Sequence, residues 1–177
     1  MLVALLWTLA SALTGAVASR APAQLKNLTL TALVGKHGRS ALECWAMAPE
    51  LVESTATGTV GALSYGHIGM TGNSSYSLFT ALSNAGLHNA PTAQYVMILT
   101  GSGELSFPSA DPADPCLRGN YTVVAGDILI AVDTADVSSR GHNSVWQAGT
   151  SVLQMPFMGD TPNHVVLHEG GCHKPHM

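Results

Sequence analysis

Charged residues are scarce in this chain. Asp, Glu, Lys and Arg together make up 10% of the 177 residues, and the formal net charge is −4. Soluble domains usually contain about 25% of these residues, so the surface must rely on Ser, Thr, Asn and Gly for its contact with water. Nucleic acids and anionic membrane surfaces are bound through clusters of Lys and Arg. Because the chain has no such cluster, we expect neither as a partner.

Signatures of several enzyme classes are also missing. No Gly-x-Ser-x-Gly sequence occurs, which removes the nucleophile elbow of the α/β-hydrolases. Gly101-Ser102-Gly103 precedes a strand-like run rather than a helix, so it predicts a hairpin turn and not a phosphate-binding loop. Among the few acids, Glu43 and Glu104 lie in strand-like runs. An alternative is therefore that these two carboxylates face one cleft as a glycosidase pair.

The chain begins with an apolar run that no Lys or Arg precedes. Residues Leu2 to Val17 are too few for a comfortable membrane span, which needs roughly 20 residues. The run ends in Ala16-Val17-Ala18, the small-x-small pattern that signal peptidase cleaves. We therefore predict a signal peptide over residues 1–18, a secreted mature chain that begins near Ser19, and no membrane span after cleavage. The alternative is a buried N-terminal helix.

Three Asn-x-Ser/Thr sequences support a secreted chain. They lie at Asn27, Asn73 and Asn120, each beside a predicted turn or strand edge where a bulky glycan is tolerated. The sequence therefore predicts a glycoprotein with up to three attachment sites.

Cysteine is rare, and Cys44, Cys116 and Cys172 are the three in the chain. In an oxidising compartment at least two of them are expected to pair. The sequence leaves the three possible pairings open. The remaining thiol is either buried or links two chains, so a homodimer is one possible assembly.

Short runs of β-forming residues separated by turn residues fill most of the chain, whereas helical patterns are poor. This spacing predicts a single all-β domain, an antiparallel barrel or sandwich. We expect an N-terminal segment over 19–41, in which Gln24 to Leu33 is a short helix or a strand. The β-domain then covers 42–169, and a flexible tail covers 170–177. The predicted strands are Leu42 to Met47, Gly58 to Ser64, Tyr76 to Leu82, Gln94 to Thr100, Glu104 to Phe107, Tyr121 to Val124, Ile128 to Val132, Ser144 to Gln147, Val152 to Phe157 and Val165 to His168.

The stretch from Gly86 to Leu105 carries the candidate site. His88 and then Gln94 precede a strongly β-forming run of Tyr, Val, Met, Ile and Leu, which predicts a buried strand followed by a hairpin. A polar group at the start of such a strand lies at a barrel mouth, where ligands and metals bind. We expect the function to reside there.

The order of motifs resembles that of single-domain cupins, and more narrowly that of small secreted cupin-like proteins of filamentous fungi. The resemblance covers roughly residues 42–157 and implies a single antiparallel jelly-roll β-barrel. The residues that carry it are Gly86-Leu87-His88-Asn89-Ala90-Pro91, Gln94-Tyr95-Val96, Gly101, Ala125-Gly126-Asp127-Ile128, Asp133-Thr134-Ala135-Asp136-Val137 and Gly141-His142.

The chain departs from the cupin metal signature. His88 matches the first His of that signature, but Ala90 stands in place of the second His and Gln94 in place of the Glu. The last His is expected at Val137 and is matched only by His142, after an insertion. The resemblance therefore leaves two imidazoles and a neutral amide as candidate metal ligands.

The resemblance implies dioxygenase, isomerase or cyclase chemistry on a small, mostly apolar molecule, such as a tailoring step of fungal secondary metabolism. His88 and His142 would be catalytic, either as ligands of a divalent ion (Fe, Mn, Ni or Zn) or as general acid and base. Gln94 would be a third metal ligand or would bind the substrate together with Tyr95, and Trp146 would form the pocket wall. The alternative is a non-catalytic secreted ligand-binding, effector or cell-wall protein, in which the histidines only form hydrogen bonds.

Overall fold

The structure is a computed structural model that describes residues 26–108 and 120–172. The predicted signal peptide and Cys116 lie outside the described residues. All regular elements in the described part are β-strands. They are β1 Thr29–Lys36, β2 Arg39–Met47, β3 Val52–Glu53, β4 Leu63–Ser64, β5 Ser75–Phe79, β6 Ser83–His88, β7 Gln94–Thr100, β8 Ser102–Ser106, β9 Asn120–Val124, β10 Ile128–Ala131, β11 His142–Trp146, β12 Thr150–Pro156 and β13 His164–Glu169.

Two main sheets and a small two-stranded sheet of β3 and β4 form the architecture, which confirms the all-β prediction. The larger has seven strands in the order β13-β2-β1-β10-β7-β12-β5, and the smaller has four in the order β6-β11-β8-β9. Strand pairs are antiparallel except β1 with β10, which run parallel. β7, predicted over Gln94 to Thr100, is a central strand of the larger sheet. Within the described residues the two sheets remain separate layers, without the hydrogen-bonded closure of a barrel.

The main core lies between the two sheets. Val96 and Ile98 of β7 and Val152 of β12 come from the larger sheet, and Leu105 of β8 and Trp146 of β11 come from the smaller one. Side chains alternate between the faces of a strand, so every second residue of each of these strands points into this core. The interior between the sheets is therefore apolar except where an inward-facing residue is polar.

A second core covers the outer face of the larger sheet. Tyr95 of β7, Trp45 and Met47 of β2 and Ile130 of β10 are buried there, and Tyr65, just after β4, packs against them. Both faces of the larger sheet are therefore covered. This explains why its central strands are apolar along their whole length.

The expected hairpin at Gly101-Ser102-Gly103 does not form. β7 belongs to the larger sheet and β8 to the smaller, so the chain passes from one layer to the other at Gly101, which has a φ of 73°. Thr150 Oγ1 fixes this corner, because it accepts a hydrogen bond from the Ser102 N–H at 3.0 Å and donates one to the Ser102 carbonyl at 2.8 Å. The prediction of a hairpin was therefore wrong.

Other boundaries also differ from expectation. The larger sheet begins at Thr29 rather than at residue 42, because β1 pairs with both β2 and β10. β6 was not predicted as a strand. The strand predicted over Gly58 to Ser64 is reduced to the two residues of β4, because Gly58 and Gly61 adopt positive φ in a turn.

A disulfide joins Cys44 of β2 to Cys172, across a sequence separation of 128 residues. The Cys172 N–H also donates to Thr31 Oγ1 at 2.9 Å, and the Gly170 N–H donates to the Leu42 carbonyl at 2.8 Å. Residues 170–172, which the sequence assigned to a flexible tail, are therefore attached to the larger sheet.

In the part of the chain that the structure describes, no helix has the length and apolar character needed to cross a membrane.

Candidate functional site

A cavity of about 190 Å³ lies between the two sheets. Its walls come from the inward-facing residues of both sheets, and they include Phe79 and Trp146 as well as His88, Gln94 and His142. The structure thus brings together around one cavity the three residues that the sequence proposed as metal ligands, and Trp146 also lies in its wall.

His88 and His142 are direct neighbours in this cavity. β6 and β11 are antiparallel, and their register sets His142 opposite His88. The ring centroids are 4.6 Å apart and the ring planes meet at 56°. His88 was predicted only to precede the strand that begins at Gln94, whereas both histidines lie at strand ends, His88 in β6 and His142 in β11. Cross-strand pairing is the direct cause of their proximity.

Asp133 holds the His142 ring. His142 Nδ1 lies 2.6 Å from Asp133 Oδ2, and Ser40 Oγ donates to the same oxygen at 2.5 Å. Asp133 is 0% exposed and His142 is 5% exposed. The second carboxylate oxygen, Oδ1, has no hydrogen-bond partner among the described residues. Because an ionised carboxylate only accepts hydrogen bonds, Nδ1 is the protonated nitrogen of His142.

Sequence reasoning did not give Asp133 a role. It precedes His142 by nine residues, and no local motif relates the two, since their contact depends on the path of the chain between β10 and β11. The only available signal was an acidic residue directly after a buried apolar strand, where a carboxylate needs a partner.

The His88 ring is held by the main chain. Its Nδ1 lies 2.8 Å from the Gly86 carbonyl oxygen, which can only accept, so this nitrogen also carries the proton. The neighbouring Asn89 donates from Nδ2 to the carbonyls of Asp133 and Ser138, both at 2.9 Å. These two hydrogen bonds connect the segment after β6 to the segment from Asp133 to Ser138. They hold in place the backbone on both sides of the histidine pair, and both imidazole rings are thereby fixed.

Gln94 supplies the remaining polar group of this end of the cavity. It starts β7 and pairs with Ala131, the last residue of β10. It is 4% exposed and lines the cavity. A side-chain amide can both donate and accept hydrogen bonds, so Gln94 can contact a ligand or water there.

Tyr95 and His67 lie outside the cavity. Tyr95 faces the second core, because strand alternation turns it away from Gln94, and its hydroxyl donates to the Ile68 carbonyl at 3.2 Å. Burial, with a further contribution from the nearby Tyr65, raises the pKa of Tyr95 to about 12. The expected substrate contact from Tyr95 is therefore wrong. His67 is exposed beside Tyr65 and is absent from the cavity lining.

The donor set is a poor match for a tightly bound divalent ion. His88 and His142 each bond through Nδ1 to a carbonyl or carboxylate, as metal-bound imidazoles usually do. However, the described residues contain no group of three or more His, Cys, Asp or Glu that could hold a metal. Two imidazoles and the neutral amide of Gln94 leave the charge of a divalent ion uncompensated, so we derive no chemical step through a metal.

The remaining predicted sites lie away from the cavity. Glu43 accepts a hydrogen bond from Trp45 Nε1, Glu104 accepts one from Asn120 Nδ2, and neither carboxylate lines the cavity. The paired-carboxylate alternative has no support from this placement.

The three sequons differ in setting. Asn73 is exposed in a turn with a φ of 47°. Asn120 is exposed at the start of β9. Asn27 is half-buried, and its Nδ2 donates to the Met47 carbonyl at 2.9 Å. Access for a glycan is therefore greatest at Asn73, because Asn120, although exposed, also uses Nδ2 to donate to Glu104 Oε2 at 2.9 Å.

A scan of the chain against protein-family models and a search of the curated proteins gave no match. The chain is thus established as an all-β protein in which two sheets enclose a cavity with a pair of histidines.

Proposed function

We propose that this chain is a secreted cupin-like protein that binds a small, neutral, mostly apolar molecule between its sheets. We further propose that His88 and His142 transfer protons to and from that molecule, as in an isomerase or cyclase. The observation that carries the proposal is the pair of imidazole rings, 4.6 Å apart, in the wall of a mostly apolar cavity.

The chemistry of the two rings supports proton transfer. A neutral imidazole with Nδ1 protonated carries its lone pair on Nε2, which can take a proton from an acidic C–H bond beside a carbonyl. Asp133 stabilises the imidazolium that forms on His142, because its carboxylate lies 2.6 Å from Nδ1. The proton then returns from Nε2 to a different atom of the same molecule, which completes an isomerisation without any further reactant. An oxidoreductase would need the metal that this donor set does not favour.

A second candidate is a non-catalytic binding protein. It is favoured by Ala90 and Gln94, which replace the His and Glu of the cupin signature, since both changes remove strong metal ligands. In that case the same cavity and the same hydrogen bonds hold a ligand without converting it.

The proposed setting is extracellular. The apolar run that ends in Ala16-Val17-Ala18 and the three sequons support secretion with glycans. The Cys44–Cys172 disulfide is compatible with it, because disulfides persist in oxidising compartments. Cys116 is then the cysteine available for a link between two chains in a homodimer.

Deuterium incorporation tests both candidates without knowledge of the natural substrate. The chain is incubated in D₂O with 1-hydroxy-3-phenylpropan-2-one, a neutral hydroxyketone that has a donor O–H group and exchangeable C–H bonds beside its carbonyl, and exchange is followed by NMR. We expect catalysed exchange that His142→Ala and His88→Ala each reduce roughly a hundredfold or more. His67→Ala is the matched control, because this exposed imidazole lies outside the cavity.

The outcomes separate the candidates. Saturable binding of the ketone without exchange favours the non-catalytic protein. Exchange that survives both cavity substitutions contradicts the assigned roles of the two histidines. Elemental analysis of the secreted protein accompanies the assay, and a stoichiometric metal lost in the His88→Ala variant would overturn the metal-free account.

A further inference from the structure

The tautomers of the two histidines restrict what the cavity binds. We infer that Asp133 and the Gly86 carbonyl fix His142 and His88 as hydrogen-bond acceptors, so that the cavity selects a neutral, single-ring ligand whose polar end donates a hydrogen bond, as a phenol or enol does. This inference rests on the proposed function, because it names the class of molecule that the proposed site would take.

The acceptor character follows from the two Nδ1 contacts. Asp133 Oδ2 and the Gly86 carbonyl oxygen both accept, at 2.6 Å and 2.8 Å. A neutral imidazole has one N–H, and here each ring uses it on these partners. Each Nε2 therefore carries a lone pair, and the two rings lie 4.6 Å apart in one wall of the cavity. A ligand that covers these acceptors without offering a donor costs free energy, so its polar end must bring an O–H or N–H group.

The lining of the cavity excludes ionic ligands. Among the described residues the lining contains no Lys, Arg, Asp or Glu, and its remaining polar side chains are those of Ser and Gln. A carboxylate or ammonium group in this cavity would lose its hydration without gaining an opposite charge, which is strongly unfavourable. Asp133 does not compensate a cation there, because it is not part of the lining and its Oδ2 is occupied by Ser40 and His142.

The shape of the cavity sets the size of the ligand. A cavity of 150 Å³ is known to hold benzene, so about 190 Å³ accommodates one ring with a short substituent. Along β11 the inward residues run from His142 to Trp146, a distance of about 13 Å at about 3.3 Å per residue. Trp146 stacks on Phe79 with centroids 5.3 Å apart. The polar end of the ligand thus lies at the histidines and its ring or alkyl part lies towards these two aromatic side chains.

Matched ring compounds test the inference by calorimetry at pH 8.5. The probes are 4-propylphenol, its methyl ether 4-propylanisole, and 4-propylbenzoate. We expect the phenol to bind at least tenfold more tightly than the ether, since the ether leaves both nitrogens without a donor. The benzoate anion is expected to bind more weakly than either neutral compound.

Asp133→Asn tests the role of the carboxylate as a positioning group. An Asn side chain can donate to Nδ1, which moves the ring proton to Nε2 and turns that nitrogen into a donor. We expect the preference for phenol over ether to fall at least threefold in this variant, because only His88 then remains an acceptor. Asp136→Asn is the matched control, because Asp136 is exposed and absent from the cavity lining, and the preference should be unchanged.

Direct detection of the tautomers keeps the inference testable even if Asp133→Asn fails to fold. Imidazole ¹⁵N chemical shifts of the wild-type chain at pH 8.5 should show both rings protonated at Nδ1 and unprotonated at Nε2. A protonated Nε2 on both rings overturns the inference. Equal binding of phenol and ether, or tighter binding of benzoate, also overturns it while leaving the proposed small-molecule site intact. Absence of binding by all three compounds counts against the proposed function itself.

Discussion

Gly141 lies where the chain enters β11, directly against the end of β6. Its φ is 66°, and its N–H donates to Ser138 Oγ at 3.1 Å. A Cβ added at this position would lie 2.8 Å from the Asn89 nitrogen and closer still to the His88 carbonyl group. Gly141→Ala therefore forces the backbone that carries His88 away from the backbone that carries His142.

Two costs add up in this variant. An alanine in the left-handed region is destabilised by about 1–2 kcal/mol, and overpacking against a backbone that cannot rotate away adds about 1–3 kcal/mol. Gly149→Ala isolates the first cost, because Gly149 has a φ of 82° but no atom within 4 Å of an added Cβ. We expect Gly141→Ala to lower the free energy of unfolding by about 2–5 kcal/mol, and by at least 1 kcal/mol more than Gly149→Ala.

Urea unfolding with the disulfide intact measures both variants, and an unchanged m-value validates the comparison. The His88 and His142 ring signals should move in the NMR spectrum of Gly141→Ala and stay in place in that of Gly149→Ala. Equal destabilisation by the two substitutions would refute the close approach of β6 and β11, and with it the geometry of the histidine pair.

Three further variants test the packing around the site. The folded state favours the neutral Tyr95 phenol, whose pKa is raised to about 12 by burial, so stability should fall as the pH rises from about 10, where an unfolded tyrosine ionises, to about 12. Tyr95→Phe should flatten this fall in urea titrations, and an unchanged profile would contradict the burial of the phenol. Replacing Cys44 and Cys172 with Ser opens a loop of 128 residues and should cost about 4–5 kcal/mol in the same assay; a loss below about 1 kcal/mol would contradict the bridge. Asp133→Ala leaves the His142 Nδ1–H buried without an acceptor and should cost about 2–4 kcal/mol, whereas a neutral effect would show that the pair is not buried.

Part of the fold was predictable because it depends on local pattern. β7 was predicted with its bounds, since an apolar run of β-branched and aromatic residues bounded by turn residues is typical of a buried strand. β6 was missed, because Ser83 to His88 contains Ser, Asn, Ala and Gly, which are weak strand formers. Its strand conformation depends on pairing with β11, which is not visible in the local sequence.

The candidate site likewise contains residues that local sequence pointed to and residues that it did not. His88, Gln94 and His142 were found from motif resemblance and the position of polar groups before strands. Asp133 was missed because its partner comes from another part of the chain, and Tyr95 was assigned to the site although strand alternation directs it to the opposite face. The Gly101 corner was misassigned because a glycine with positive φ serves a hairpin and a change of sheet equally well.

The central claim is that a small neutral molecule binds between the sheets, with its polar end at the histidine pair. Intermolecular nuclear Overhauser effects between the chain and bound 4-propylphenol test this most directly. The account predicts contacts from the propyl group or ring to the Trp146 indole, and from the hydroxyl-bearing end of the ring to the His88 and His142 imidazoles. Contacts confined to exposed side chains such as Met70 and Met158, or saturable binding without any contact to these three cavity residues, would contradict it.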